Sequence, residues 1–179
     1  MSARPPFPYG AAALIVLTLL LPPVALAAEI YEDSFLEFEI PEGGSVHNAV
    51  MGEYHVFSAP DAALAATLVT RIRLGSNAPA ARDLAEAVAS AEATITEERY
   101  PNLAIEAREK ISIAGDTEAV AYTYTYLEQG DATRHRKVRA VYAAHAGHII
   151  EVRCETSEEE FERTRPAAER VLKTLRLYP

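Results

Sequence analysis

The chain has a single cysteine, Cys154, in 179 residues, so no internal disulfide can form and the fold has to stand on packing. Internal repeats, long linkers and low-complexity tracts are missing as well. Positive charge is scarce: 17 Lys and Arg against 26 Asp and Glu give a formal net charge of −9. An acidic surface repels phosphate backbones, which excludes nucleic acid as an expected partner. No serine sits in a nucleophile elbow. Asp61, Asp83, Asp116 and Asp131 fall in turns or in the first turn of a helix, and no two of them are placed for acid–base work. The acidic run Glu155 to Glu162 lacks the glycine-turned oxygen loop of a calcium site. These gaps point away from catalysis.

One long apolar run does exist. Ala11 to Leu21 is interrupted only by Thr18 and stopped by Pro22-Pro23, and Arg4 is the only charged side chain before Glu29. The run is well short of the about 20 residues a membrane span needs. Ala25-Leu26-Ala27 fits the small-x-small rule of signal peptidase, so residues 1–27 are expected to be a cleaved signal peptide. Cleavage removes Arg4 and no acid, which moves the formal net charge from −9 to −10. The remainder, residues 28–179, is long enough to bury one sizeable core and is expected to be a single domain. An exported protein without a stable membrane insertion follows.

Periodicity assigns the elements. Phe35 to Ile40 alternates, with Leu36, Phe38 and Ile40 on one face, as a half-buried strand stopped at Pro41 and Gly43-Gly44. Residues 53–59 and 64–74 read as a hairpin around Ala59-Pro60-Asp61. Asn77 is placed to cap a helix starting at Ala78-Pro79, whose stripe is Leu84, Val88, Ala91 and Ile95, and Tyr100-Pro101-Asn102 ends it. A four-strand meander follows, roughly over 103–113, 118–127, 134–144 and 148–155. Tyr122, Tyr124 and Tyr126 share one strand face, suited to packing under a helix. Ser157 and Glu160 have the spacing of a capping box for a last helix with stripe Phe161, Ala168, Val171, Leu172 and Leu175. Pro166 predicts a kink or a fresh start within it. The fold class is α+β, an antiparallel sheet of six or seven strands flanked by helices.

The stretch HRKVRAVYAAHAGHIIEVRC, residues 135–154, holds His135, His145 and His148 beside Cys154. Its chemistry depends on the hairpin register. A two-residue turn at Ala146-Gly147 pairs His145 with His148, close enough to share a metal, and sets Arg139 opposite Cys154. A three-residue loop, 145–147, pairs Ala144 with His148, Ala140 with Val152 and Val138 with Cys154. The second separates apolar from polar residues cleanly and is the expected register. It scatters the imidazoles and leaves Cys154 as a small buried hydrophobe, so neither a metal nor a cofactor is expected. His47 and His55 add no ligand spacing.

Arg71, Arg73, Lys137, Arg139 and Arg153 all fall on expected polar strand faces of an acidic protein. If those faces coincide, they form a basic patch for a carboxylate, a phosphate or an acidic partner. If not, each pairs with a cross-strand acid such as Glu151 or Glu155.

The opening SFLEFEIPEGG and the ending GHIIEVRCETSEEEFERTRPAAERVLKTLRL resemble PsbP-like and DcrB-like domains, over about residues 30–178. Those domains have an early strand running into a P-x-G turn. Near their end, a hairpin strand finishes in Cys or a small residue and leads to a short helix with an internal proline. An extended tail then docks on the sheet, as Thr174 to Leu177 would here. The resemblance implies an α/β/α sandwich and non-enzymatic work as an extrinsic subunit, envelope accessory factor or binding adaptor, with no catalytic motif to carry over. The expected function is therefore an exported binding or accessory protein whose partner is another envelope protein. A small anionic-ligand binder using the basic sheet face is the alternative, and an undetected hydrolase the third reading.

Overall fold

The computed structural model describes residues 28–41, 44–50, 53–57, 69–74, 81–131 and 133–179. The expected signal segment, the turn at Ala59-Pro60-Asp61 and the helix start at Asn77, Ala78 and Pro79 lie outside these residues. Short strands come first: β1 (Ile30–Glu32), β2 (Leu36–Glu39), β3 (Ser45–Val50), β4 (Glu53–Phe57) and β5 (Val69–Leu74). Helix α1 (Leu84–Thr94) leads into four long strands, β6 (Ala104–Ile113), β7 (Thr117–Leu127), β8 (His135–His145) and β9 (His148–Ser157). A 3₁₀ turn (Glu158–Glu160), helix α2 (Phe161–Thr174) and β10 (Arg176–Leu177) close the chain. No helix among the described residues is long and apolar enough to cross a membrane.

Seven strands form one antiparallel sheet in the order β3-β4-β5-β9-β8-β7-β6, and β1-β2-β10 form a second, three-stranded one. The Phe35–Ile40 strand is thus real, with Leu36 and Phe38 fully buried, but it belongs to the small sheet. The C-terminal tail docks there as well, with Arg176 opposite Glu37 and Leu177 opposite Leu36.

Both faces of the large sheet are covered along β7, β8 and β9. On one, Val141, Ala143, Ile150 and Val152 pack against Val171, Leu172 and Leu175 of α2 and against Leu36 and Phe38 of β2. On the other, Val138, Ala140, Tyr142, Tyr122 and Tyr124 pack under Ala87 and Ala91 of α1. The tyrosine ladder therefore lies beneath a helix, as its alternation predicts.

Several local expectations change. Residues 81–83 are not helical; Asp83 caps α1, accepting the Glu86 N–H at 3.0 Å. Strand β9 runs on to Ser157, which pairs with Arg136 in the β8 ladder. Ser157 thus serves the sheet and makes no side-chain cap, so the capping box does not form. Helix α2 continues through Pro166 as one element starting at Phe161.

The hairpin register is the principal correction. His145 pairs with His148, Ala144 with Ile149 and Arg139 with Cys154, the register of the two-residue turn. Ala146 (φ 48°) and Gly147 (φ 78°) are both left-handed, as a type I′ turn requires, and that turn matches the twist of the flanking strands. Polarity does not identify the register here, because with a helix on each face buried apolar residues occur in both sets of alternating positions, as Val138, Ala140, Val141 and Ala143 show. Ala146 carries a Cβ penalty in this conformation that asparagine largely escapes. Ala146→Asn is expected to stabilise the fold by about 0.5–1 kcal/mol in urea unfolding. Gly147→Ala, where a Cβ would meet nothing within 4 Å, should destabilise by about 1 kcal/mol through backbone strain alone. An Ala146→Asn protein no more stable than its parent would show that the tip does not hold this turn.

Candidate functional site

Register divides the five basic residues between the two faces. Arg71 stands opposite Arg153, and Arg73 opposite Glu151, in the β5–β9 ladder, so these three positions share the face that α1 covers in part. Lys137 and Arg139 alternate with Val138 and Ala140 and fall on the α2 face. The expected single patch is therefore two separate sets, because the one-residue shift of the hairpin reverses the face of β8 relative to β9.

Arg153 is the best-connected of the five. Its side chain is 12% exposed. Nη1 donates to the Tyr100 hydroxyl at 2.8 Å and to the Tyr124 hydroxyl at 2.9 Å. Nε and Nη2 donate to Glu155 Oε2 at 3.0 and 2.7 Å. The guanidinium carbon also lies 5.3 Å from the Tyr100 ring centre and 5.8 Å from that of Tyr124, within cation–π range. Glu155 accepts a third bond, from the Tyr126 hydroxyl, and has Arg136 Nε 3.6 Å away. Tyr142 donates to Glu151 at 3.0 Å. Strand β7 supplies two of the tyrosines, and Tyr100 comes from the turn that follows α1. In the sequence that tyrosine signals only the end of a helix, and nothing local marks it as a partner of a residue 53 positions away.

The electrostatics follow from this packing. Burial pushes the Glu155 carboxyl up, but the Arg153 charge, hydrogen bonds from Tyr126 and Arg153, and Arg136 outweigh it and hold Glu155 below the usual carboxylate range. Burial raises the Tyr124 hydroxyl well above the ordinary phenol value. Burial and the hydrogen bond to Glu155 do the same to Tyr126, as burial and the Glu151 charge do to Tyr142. Each group is driven further into its resting protonation state. A general acid or base needs the opposite shift, toward neutrality. Cys154 is also unsuited to attack, since burial pushes its thiol up to about 11.

On the α2 face, Lys137 Nζ lies 2.7 Å from Glu106 and 5.1 Å from the centre of the Phe161 ring. Arg139 Nη1 reaches Glu109 at 3.0 Å and Thr123 at 3.3 Å. Arg139, Lys137 and Arg153 thus each hold a carboxylate.

The corrected register does bring His145 and His148 together at the hairpin tip. His145 Nε2 lies 3.2 Å from the Tyr178 carbonyl oxygen, which only a protonated Nε2 can bond. His135 Nδ1 sits 3.9 Å from Glu158 at the far end of the strand, and His47 stands opposite His55 between β3 and β4. Among the described residues no three His, Cys, Asp or Glu side chains are grouped to hold a metal ion.

No family model matches the sequence, and no curated protein does. Solved structures do match. Cyanobacterial PsbP (CyanoP) from Synechocystis sp. PCC 6803 is similar over 87% of this chain and 96% of its own, with a TM-score of 0.56 at 14% identity. LpqN of Mycobacterium tuberculosis, described as involved in cell envelope biogenesis, is similar over 87% of this chain and 88% of its own, with a TM-score of 0.56 at 10% identity. A Pseudomonas aeruginosa protein of unknown function, PA94, is similar over 85% and 98%, with a TM-score of 0.51 at 17% identity. The fold is therefore PsbP-like, an antiparallel sheet between helices, and at these identities the likeness establishes the fold alone.

Proposed function

We propose that this chain is an exported, non-catalytic binding or accessory protein of the cell envelope, acting through contact with another envelope protein. The observation that carries the proposal is the likeness to LpqN over 87% of the chain, a protein described by its part in cell envelope biogenesis. Two features support it. Residues 1–27 have the pattern of a signal cut after Ala27, which would deliver residues 28–179 as one domain to the periplasm or beyond. The ionisable groups around Arg153 are shifted away from neutrality, as suits a scaffold rather than an acid–base centre. Kinship with DcrB-like domains belongs to the same proposal. Affinity capture from the native envelope after gentle crosslinking, read by mass spectrometry, is the test. An envelope protein enriched by this chain, and enriching it in the reciprocal capture, is the expected result. No reciprocal partner would overturn the reading.

A second reading rests on Arg71 standing opposite Arg153. Like charges on facing strands repel, and an anion bound over β5 and β9 would relieve them. Thermal-shift measurements with phosphate, citrate and sulfate should then show a higher Tm that Arg71→Ala with Arg73→Ala abolishes. If no anion raises the Tm, this second reading fails.

A further inference from the structure

The α2 face carries a groove of about 580 Å³ between the sheet and the helix, a size within the range of small-molecule sites, about 300–1,000 Å³. Ile111 and Arg139 line it from the sheet; Leu172 and Lys173 line it from α2. Arg139 starts on β8, passes Thr123 on β7 and ends at Glu109 on the edge strand β6. Among the described residues both of its hydrogen bonds are made by Nη1, and its buried Nε has no partner. The Nε–Nη2 edge is the side of a guanidinium that matches two carboxylate oxygens. Arg153 gives that edge to a carboxylate within this same protein, its Nε and Nη2 both meeting Glu155 Oε2. In Arg139 the edge is unused.

The second donor is Lys173, exposed on α2 and in no ion pair among the described residues. The remaining charges along the groove are already matched: Arg170 holds Glu39 at 2.8 Å, and Glu169 holds Arg165 at 3.3 Å. The unmatched charge in the groove is therefore positive, in a chain whose formal net charge is −9, and it lies beside the apolar side chains of Ile111 and Leu172. We propose that this groove binds a carboxylate carried on a short apolar chain. The carboxylate oxygens take the Nε–Nη2 edge of Arg139, Lys173 adds a point charge, and the apolar part rests against Ile111 and Leu172. This site is on the opposite face from Arg71 and Arg153 and does not depend on either reading above.

The same chemistry could come from a free acid or from an acidic side chain of an extended partner segment, and the test separates them. The purified full chain, labelled for detection of arginine Nε–H and backbone amides by NMR, is titrated with hexanoate, with a capped valine-rich peptide bearing one glutamate, and with hexylamine. Expected are shifts at Arg139 Nε–H and at the Ile111 and Leu172 amides with hexanoate or the glutamate peptide, and none with hexylamine. Response to hexanoate assigns the source to a free acid; response to the peptide alone assigns it to a partner chain. Arg139→Lys keeps the charge and removes the fork, and should weaken binding about tenfold; Lys173→Ala should weaken it several-fold while leaving the fold intact. The proposal is overturned if neither carboxylate shifts these resonances at millimolar concentration, or if Arg139→Lys binds as the parent does. Should Arg139→Lys fail to fold, the Nε–H resonance of the parent and the Lys173→Ala affinity decide.

Discussion

Replacing Arg153 by alanine is expected to lower the unfolding free energy by about 3–5 kcal/mol, the range for removing one partner of a buried ion pair. The variant leaves Glu155 charged, mostly buried and without its principal cation, and it strips the Tyr100 and Tyr124 hydroxyls of the donor they share. At about 2–4 °C per kcal/mol for a chain of this size, the Tm should fall by roughly 10 °C. Urea unfolding of parent and variant measures it, and a loss under about 1 kcal/mol would remove Arg153 from the centre of the packing. Glu155→Gln then isolates the pH dependence. The Glu155 carboxyl is held below its unfolded value. Its contribution is whole above the unfolded pKa of about 4.3 and is lost as the pH falls through the lower, folded one. The parent should therefore destabilise on acidification more steeply than Glu155→Gln. The tyrosines act in the other direction. Tyr124 and Tyr126 are raised in the fold, so their contribution is complete below the unfolded value near 10 and erodes as the pH climbs from there toward the folded one.

Phe38→Ala should cost about 3–5 kcal/mol as a large-to-small change in a filled core. Phe38 is fully buried, stacks on Tyr31 with ring centres 5.3 Å apart, and belongs to the cluster containing Val152, Val171 and Leu175. The loss should be uneven. The three-stranded sheet is held by few pairings, with Tyr31 opposite Phe38 and Leu177 opposite Leu36, whereas β6 to β9 pair along most of their lengths. Hydrogen exchange of Phe38→Ala should show the amides of β1, β2 and β10 losing protection at denaturant levels that leave β7 and β8 protected. Simultaneous loss throughout would mean that the small sheet is not a separable unit.

Much of the molecule could be read from local pattern. The spans of β6 to β9 were legible because alternation, together with glycines at Gly115 and Gly130, marks strand ends without reference to any other part of the chain. The burial stripe of α2 was legible for the same reason, since Phe161, Ala168, Val171 and Leu172 lie on one side of any helix drawn through them. The start of α1 was less so: Asn77 and Asp83 are both residue types that cap helices, and with residues 81–83 outside the helix the cap falls to Asp83.

Partnership was decided by tertiary structure. FLEFEI announces a strand with one buried face, but alternation carries no information on which strand it joins, and packing against α2 placed it in the second sheet. The register of the hairpin at 145–148 differs from the one polarity predicts, because polarity can fix register only where one face meets water. Here α1 and α2 each cover part of a face, and the left-handed turn at Ala146-Gly147 sets the pairing instead. That one-residue difference moved Arg139 to the face of Cys154 and left Arg153 with Tyr100, Tyr124 and Glu155. Residue type pointed to anionic partners for these arginines; which ones they met, and the tyrosines around Arg153, depended on strand order and register, set by contacts across the whole sheet.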